Sequence, residues 1–204
     1  MKKSEVVIRE VACDFLDGKK KFTQLELSQI LGLSISTVNN IVKKLDSLGA
    51  LRVESKYFAI TDFKKLVLFF ATHRNLEKDI IYRTRVNMSV TEIENSLPEM
   101  VAFTAYTAYV LHYAEAPSDY SEVYFYVDPE AMEEIRARFK ERGGPPNVIA
   151  LKPDEKLLSD IRGKRLRESS VCPVQAFADL WNINTWYAKA YLESLEGRLN
   201  GVLE

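Results

Sequence analysis

Histidine and cysteine are scarce in this chain. Two of each among 204 residues leave few ligands for a transition metal and few groups that titrate near neutrality. The cysteines, Cys13 and Cys172, lie far apart and outside any C-x-x-C motif. Neither a zinc site nor a disulfide framework is expected, and a reducing cytoplasm fits. Long apolar runs are missing as well. "LVLFFA" falls far short of the roughly 18 residues of a membrane span, so no membrane partner is expected. At the N-terminus, Glu5, Arg9, Glu10 and Asp14 interrupt the apolar core that a secretory leader would need. No P-loop, G-x-S-x-G or G-x-G-x-x-G stretch occurs. "KPDEK" lacks the second acid–lysine strand of a metal nuclease. No catalytic residue, metal or cofactor is therefore assigned, and the chain is not read as an enzyme.

What is present is apolar mass and an uneven charge. Hydrophobic residues make up 47%, enough for one large domain or two small ones. The net charge is −1. Residues 1–75 carry 13 Lys and Arg against 8 Asp and Glu, whereas the remainder carries 15 against 21. A basic head on an acidic body suits a nucleic-acid-binding module joined to a domain of another kind.

The head reads as helix, helix, turn, helix and hairpin. Residues 4–16 place Val7, Val11 and Phe15 four apart. "FTQLELSQILG" is a helix with Thr23 as N-cap and Gly32 as stop. Ser34 caps the next helix, whose stripe is Val38, Ile41, Val42, Leu45 and Leu48. "LRVESKYFAI" alternates about a turn and predicts a hairpin. This is the order of a winged helix-turn-helix. A helix capped by Thr61 or Asp62 follows. Its girth of Phe63, Leu66, Val67, Leu68, Phe69 and Phe70 predicts burial on more than one side, against the second domain or in a homodimer.

Short polar side chains opposite an apolar stripe are what a helix needs to read bases in the major groove. The candidates are Ser36, Thr37, Asn39, Asn40, Lys43 and Lys44, with Arg52, Lys56 and Tyr57 on the wing. The expected partner is double-stranded DNA. Lys19, Lys20 and Lys21 would add salt-sensitive attraction. Arg162, Lys164, Arg165 and Arg167 form a basic run that is either a solvated loop or a second set of phosphate contacts.

Strands alternate with helices beyond residue 77. "DIIYRTRV", "SEVYFYV" and "NVIAL" read as strands. "SVTEIENSLP" is a short helix with a Ser89–Glu92 capping box, "VAFTAYTAYVLHYA" a helix, and "DPEAMEEIRARFKERGG" a helix from Asp128 to Gly143. "KPDEKLLSDIRGKRLRESS" reads as a loop, and two helices close the chain. Tyr106, Tyr109 and Tyr113 share a helical face, either packed or forming an aromatic pocket or partner surface. His73 and His112 sit in apolar helical settings and read as structural.

Two resemblances add to this. Over residues 20–60, Leu33–Ser34–x–Ser36–Thr37–Val38 resembles the MarR/TrmB-like winged-helix regulators, with Asn39 and Asn40 where those often carry Arg. Over most of the chain, the Ala-rich stretch Ala102–His112 and the pattern Pro173, Gln175, Asp179, Leu180 resemble the AbiEi-type antitoxin regulators of type IV toxin–antitoxin systems. The usual Gly after His112 is replaced by Tyr113. That resemblance implies an autorepressor whose C-terminal domain counters a nucleotidyltransferase-type toxin protein. The expected class is α+β, with a winged helix-turn-helix domain over 1–76 and a small mixed α/β domain over 77–204. The alternatives are a ligand-sensing regulator and a nucleic-acid-processing enzyme targeted by the head.

Overall fold

The computed structural model describes residues 1–140 and 142–200. The chain forms two compact units. One is Met1–Arg74 with the end of the last helix from Glu196; the other is Asn75–Leu195.

In the first unit, α1 (Lys3–Leu16) buries Val7, Ile8, Val11 and Ala12, as helical spacing dictates. Cys13 on this helix is disulfide-bonded, although its isolation in the sequence predicts no disulfide framework. Phe22 then bridges Phe58 in antiparallel fashion, with N–O distances of 2.9 and 2.8 Å and stacked rings. Thr23 caps α2 (Gln24–Leu31) by accepting from the Glu26 amide, and Gly32 ends it at φ +62. Ser34 caps α3 (Ile35–Ser47) by accepting from the Thr37 amide at 3.2 Å.

Val38, Val42 and Leu45 are buried in α3 and Ile41 is half-buried. Leu48, expected in the stripe, is 40% exposed. The helix ends before it, and Gly49 at φ +71 turns the chain so that Ala50 and Leu51 enter the core instead. Strands β1 (Leu51–Val53) and β2 (Phe58–Ile60) pair antiparallel with Arg52 opposite Ala59.

Asp62 caps α4 (Phe63–His73), accepting from the Lys65 amide at 2.7 Å. Its buried residues are Phe63, Leu66, Val67, Phe70 and Ala71, while Leu68 and Phe69 are half-buried. Within the chain the fully buried residues form one stripe, with Leu68 and Phe69 half-buried beside it. Phe69 instead stacks on His73 and lies under the Lys44 ammonium. Glu5 and Arg74 form a buried ion pair at 3.4 Å.

The second unit is a four-stranded sheet of β3 (Ile80–Thr84), β4 (Val101–Thr104), β5 (Val123–Val127) and β6 (Val148–Leu151). The order is β3-β6-β5-β4, parallel between β5 and β6 and antiparallel elsewhere. Its helices are α5 (Val90–Ser96), α6 (Ala105–Tyr113), α7 (Met132–Arg138), α8 (Glu155–Arg162), α9 (Pro173–Trp181) and, as far as Leu195, α10 (Ala188–Asn200). Alternation along the strands covers both faces. Val101, Phe125 and Ala150 pack with Ile93 and Ile135 on one; Ala102, Tyr126 and Leu151 pack with Ala108, Leu157 and Ala176 on the other. The Ser89–Glu92 capping box forms, and hydrogen bonds from Ser89 hold the Glu92 carboxyl below its ordinary pKa. Cys172, at the N-cap of α9, is also disulfide-bonded, against expectation.

Three elements differ from the sequence reading. The helix expected from Val101 starts only at Ala105, because 101–104 pair with β5. Ala105 adopts φ +53, so strand passes into helix with no intervening loop. The helix expected from Asp128 is a 3-10 turn, Pro129–Ala131, followed by α7 ending at Arg138, well before Gly143. Residue 141 in that stretch lies outside the described residues. Finally, the expected loop at 152–170 contains α8. Asp154 caps it, and Leu157 and Ile161, four apart, are buried. Its charged residues are the solvent face of an amphipathic helix.

Candidate nucleic-acid interface

The stripe of α3 defines a direction. Successive residues turn by about 100°, so Ser36, Asn40, Lys43 and Ser47 lie opposite Val38, Val42 and Leu45. All four are exposed. Lys44 is exposed to one side, its ammonium 5.0 Å from the Phe69 ring centroid. Thr37 is half-buried, with its hydroxyl 2.8 Å from that of Ser34. Asn39 is half-buried too, and its Nδ2 donates to Gln24 Oε1 at 2.8 Å. The two adjacent asparagines therefore have different settings.

The hairpin presents Arg52 and Lys56 to solvent, and the Glu54 amide donates to the Tyr57 carbonyl at 2.8 Å to close the turn. Tyr57 is half-buried with the Lys21 ammonium 4.6 Å from its ring centroid. Lys20 lies over Phe15. Lys19 is committed inside the unit, 2.9 Å from Asp14 and 2.7 Å from Glu26. Desolvation lowers its pKa, but the hydrogen bonds to Glu26 and Asp14 outweigh this and raise it overall.

Two residues near this surface escaped the sequence reading. Ile35, at the first turn of α3, is 50% exposed although it stands three residues before the buried Val38. Gln24 is the amide partner of Asn39. The signal for Ile35 was its place directly after the Ser34 cap; Gln24 had none, being fifteen residues from Asn39.

In the second unit each candidate cation faces a carboxylate. Arg162 forks onto Asp128 at 2.5 and 3.0 Å and reaches Glu130 at 2.7 Å. That fork holds the Asp128 carboxyl below its ordinary pKa. Lys164 meets Glu99 at 2.5 Å, Arg165 lies 3.5 Å from Asp160, and Arg167 lies 4.0 Å from Glu168. Arg162 thus belongs to α8, and Lys164, Arg165 and Arg167 are exposed beside carboxylates, as a solvated run is.

The tyrosine face is also closed. Tyr106 and Tyr109 are fully buried and Tyr113 half-buried. Tyr106 packs against Tyr120, Tyr124, Tyr187 and Tyr191, and its hydroxyl lies 2.6 Å from that of Thr185. Burial pushes the Tyr106 phenol far above its ordinary pKa. An open aromatic pocket on this face is corrected to a packed cluster. His112 Nε2 lies 2.8 Å from the Val171 carbonyl, and His73 Nδ1 lies 2.9 Å from that of Phe69. Gln175 and Asp179 are fully buried. Asp179 Oδ2 accepts from Thr104 and from Tyr126, each at 2.7 Å, and Gln175 Nε2 donates to Asp179 Oδ1 at 3.0 Å.

Residues 20–52, from the bridge strand at Phe22 through α2 and α3 into β1, match the family model of winged helix-turn-helix DNA-binding domains. Over these residues the head is similar to winged helix-turn-helix DNA-binding domains and has their fold. No curated protein and no solved structure matches the chain. Among the described residues of the winged-helix head and the second unit, no helix is long and apolar enough to cross a membrane. Among them, too, no group of three or more His, Cys, Asp and Glu is arranged to hold a metal ion.

Proposed function

We propose that this protein is a sequence-specific transcription regulator that acts by binding double-stranded DNA and not by catalysis. One observation carries the reading: the surface of α3 opposite its buried stripe is small, polar and basic, formed by Ser36, Asn40, Lys43 and Ser47. Packing gives no reason for that composition, and the major groove does. In this reading Asn40 pairs with adenine, Lys43 and Lys44 meet flanking phosphates, and Arg52 and Lys56 touch the backbone beside the groove. Asn39 contributes by orienting Gln24. Cytoplasmic residence follows from the DNA partner rather than from the cysteines.

The finer role is that of an antitoxin-like autorepressor, with the second unit engaging a nucleotidyltransferase-type toxin. Its support is the resemblance carried by Gln175 and Asp179, which lock α9 to β4 and β5 and so belong to the scaffold of that unit. A homodimer would present two α3 helices to half-sites about 34–36 Å apart. The test is a gel shift with the DNA upstream of the chain's own gene. The wild type should retard it, and Asn40→Ala with Lys43→Ala should not. Equal retardation by the variant overturns the assignment of α3. Co-expression with the product of the neighbouring gene tests the antitoxin role, by relief of growth arrest.

A further inference from the structure

Ile35 opens α3 and is 50% exposed, while Val38 and Val42, three and seven residues on, are fully buried. Helical spacing favours burial of Ile35 with them, yet the first turn of the helix carries it into solvent. The N-terminal residues of a recognition helix are those that reach base edges. The apolar feature that the major groove offers there is the thymine 5-methyl group. The two asparagines narrow the pattern further. A bidentate adenine contact takes both Nδ2 and Oδ1 of one amide. Asn39 is half-buried and commits Nδ2 to Gln24, whereas Asn40 is exposed.

We infer that Ile35 is a specificity-determining residue that reads a thymine methyl group, so that the preferred site contains A·T pairs under the first turns of α3. This rests on α3 being the reading helix. Covering one methyl group is equivalent to about 0.8 kcal/mol, or about fourfold in affinity.

The experiment selects duplexes from a randomised library with the full-length protein. It then replaces each thymine of the selected site, one at a time, by deoxyuridine, which lacks only the methyl group. At one position the wild type should lose about fourfold in affinity. Ile35→Ala should bind the thymine and deoxyuridine duplexes equally at that position. Because each protein is compared with itself on two duplexes, a change in its folded fraction cancels. Failure to enrich any sequence overturns the regulator reading itself. Enrichment with every deoxyuridine tolerated, or an unchanged deoxyuridine penalty in Ile35→Ala, overturns the role of Ile35 and leaves the regulator reading standing.

Discussion

Asn39 donates its side-chain amide to Gln24 across 2.8 Å and so ties the middle of α3 to the first turn of α2. Neighbouring residues of one type thus divide the work: Asn40 faces outward and Asn39 braces. Asn40→Ala should cost about 1–3 kcal/mol and relax preference at one base pair. Asn39→Ala and Gln24→Ala should each weaken binding to all sequences alike. The double variant should be no weaker than the worse single, since one contact is lost either way. Competition anisotropy against single-base variants of the selected site separates the two patterns.

Lys43 and Lys44 are exposed on α3. If both meet phosphates, each replacement by Ala should reduce the slope of log K against log salt by about one. Lys19→Ala should leave the slope nearly unchanged, because Lys19 is already held between Asp14 and Glu26. Titrations from 50 to 300 mM salt, values on the order of a usual series, measure all three. A larger effect for Lys19 than for Lys43 would reverse the assignment.

The head was legible because its punctuation is local. Thr23, Gly32 and Ser34 mark two helix boundaries by their own chemistry, and Val38, Val42 and Leu45 keep the helical period. The second unit hides its boundaries. Nothing in "FTAYT" marks the strand-to-helix passage, because the residue in the left-handed conformation is Ala105 and not a glycine. Helix α8 was masked by its charges, although Leu157 and Ile161 carried the period. Partners distant in sequence were not legible at all. Asn39 reads as a base contact until Gln24 is seen beside it, and Arg162 reads as a phosphate contact until Asp128 is.

Asp179 is fully buried and accepts from Thr104, Tyr126 and Gln175. Asp179→Ala strips several buried donors of their acceptor at once. The expected loss is about 3 kcal/mol, or roughly 10 °C in the melting of the second unit. Thr104→Val removes a single donor and should cost about 1 kcal/mol. Calorimetry distinguishes the two. Equal, small losses would mean that water replaces the network.

Arg162 makes the acid sensitivity of the second unit predictable. Its guanidinium lies against Asp128, whose side chain is fully buried while that of Arg162 is 47% exposed. The fork depresses the Asp128 pKa in the folded state below the unfolded value of about 3.9. The sign follows from linkage: the contribution is complete above the unfolded pKa and is lost as pH falls from about 4 through the folded value. Stability should therefore be level in this respect between pH 7 and pH 5 and decline below about pH 4. Asp128→Asn keeps an oxygen to accept from the Glu130 amide, 3.0 Å away in the native chain, and removes the charge together with the oxygen that accepts from Arg162 Nε. Urea unfolding across that range should then show a shallower acid decline in the variant. Arg162→Met should likewise remove the contribution of the pair. High salt should shrink the difference, because the exposed guanidinium is screened. An acid decline equally steep in wild type and Asp128→Asn would place the titrating group elsewhere.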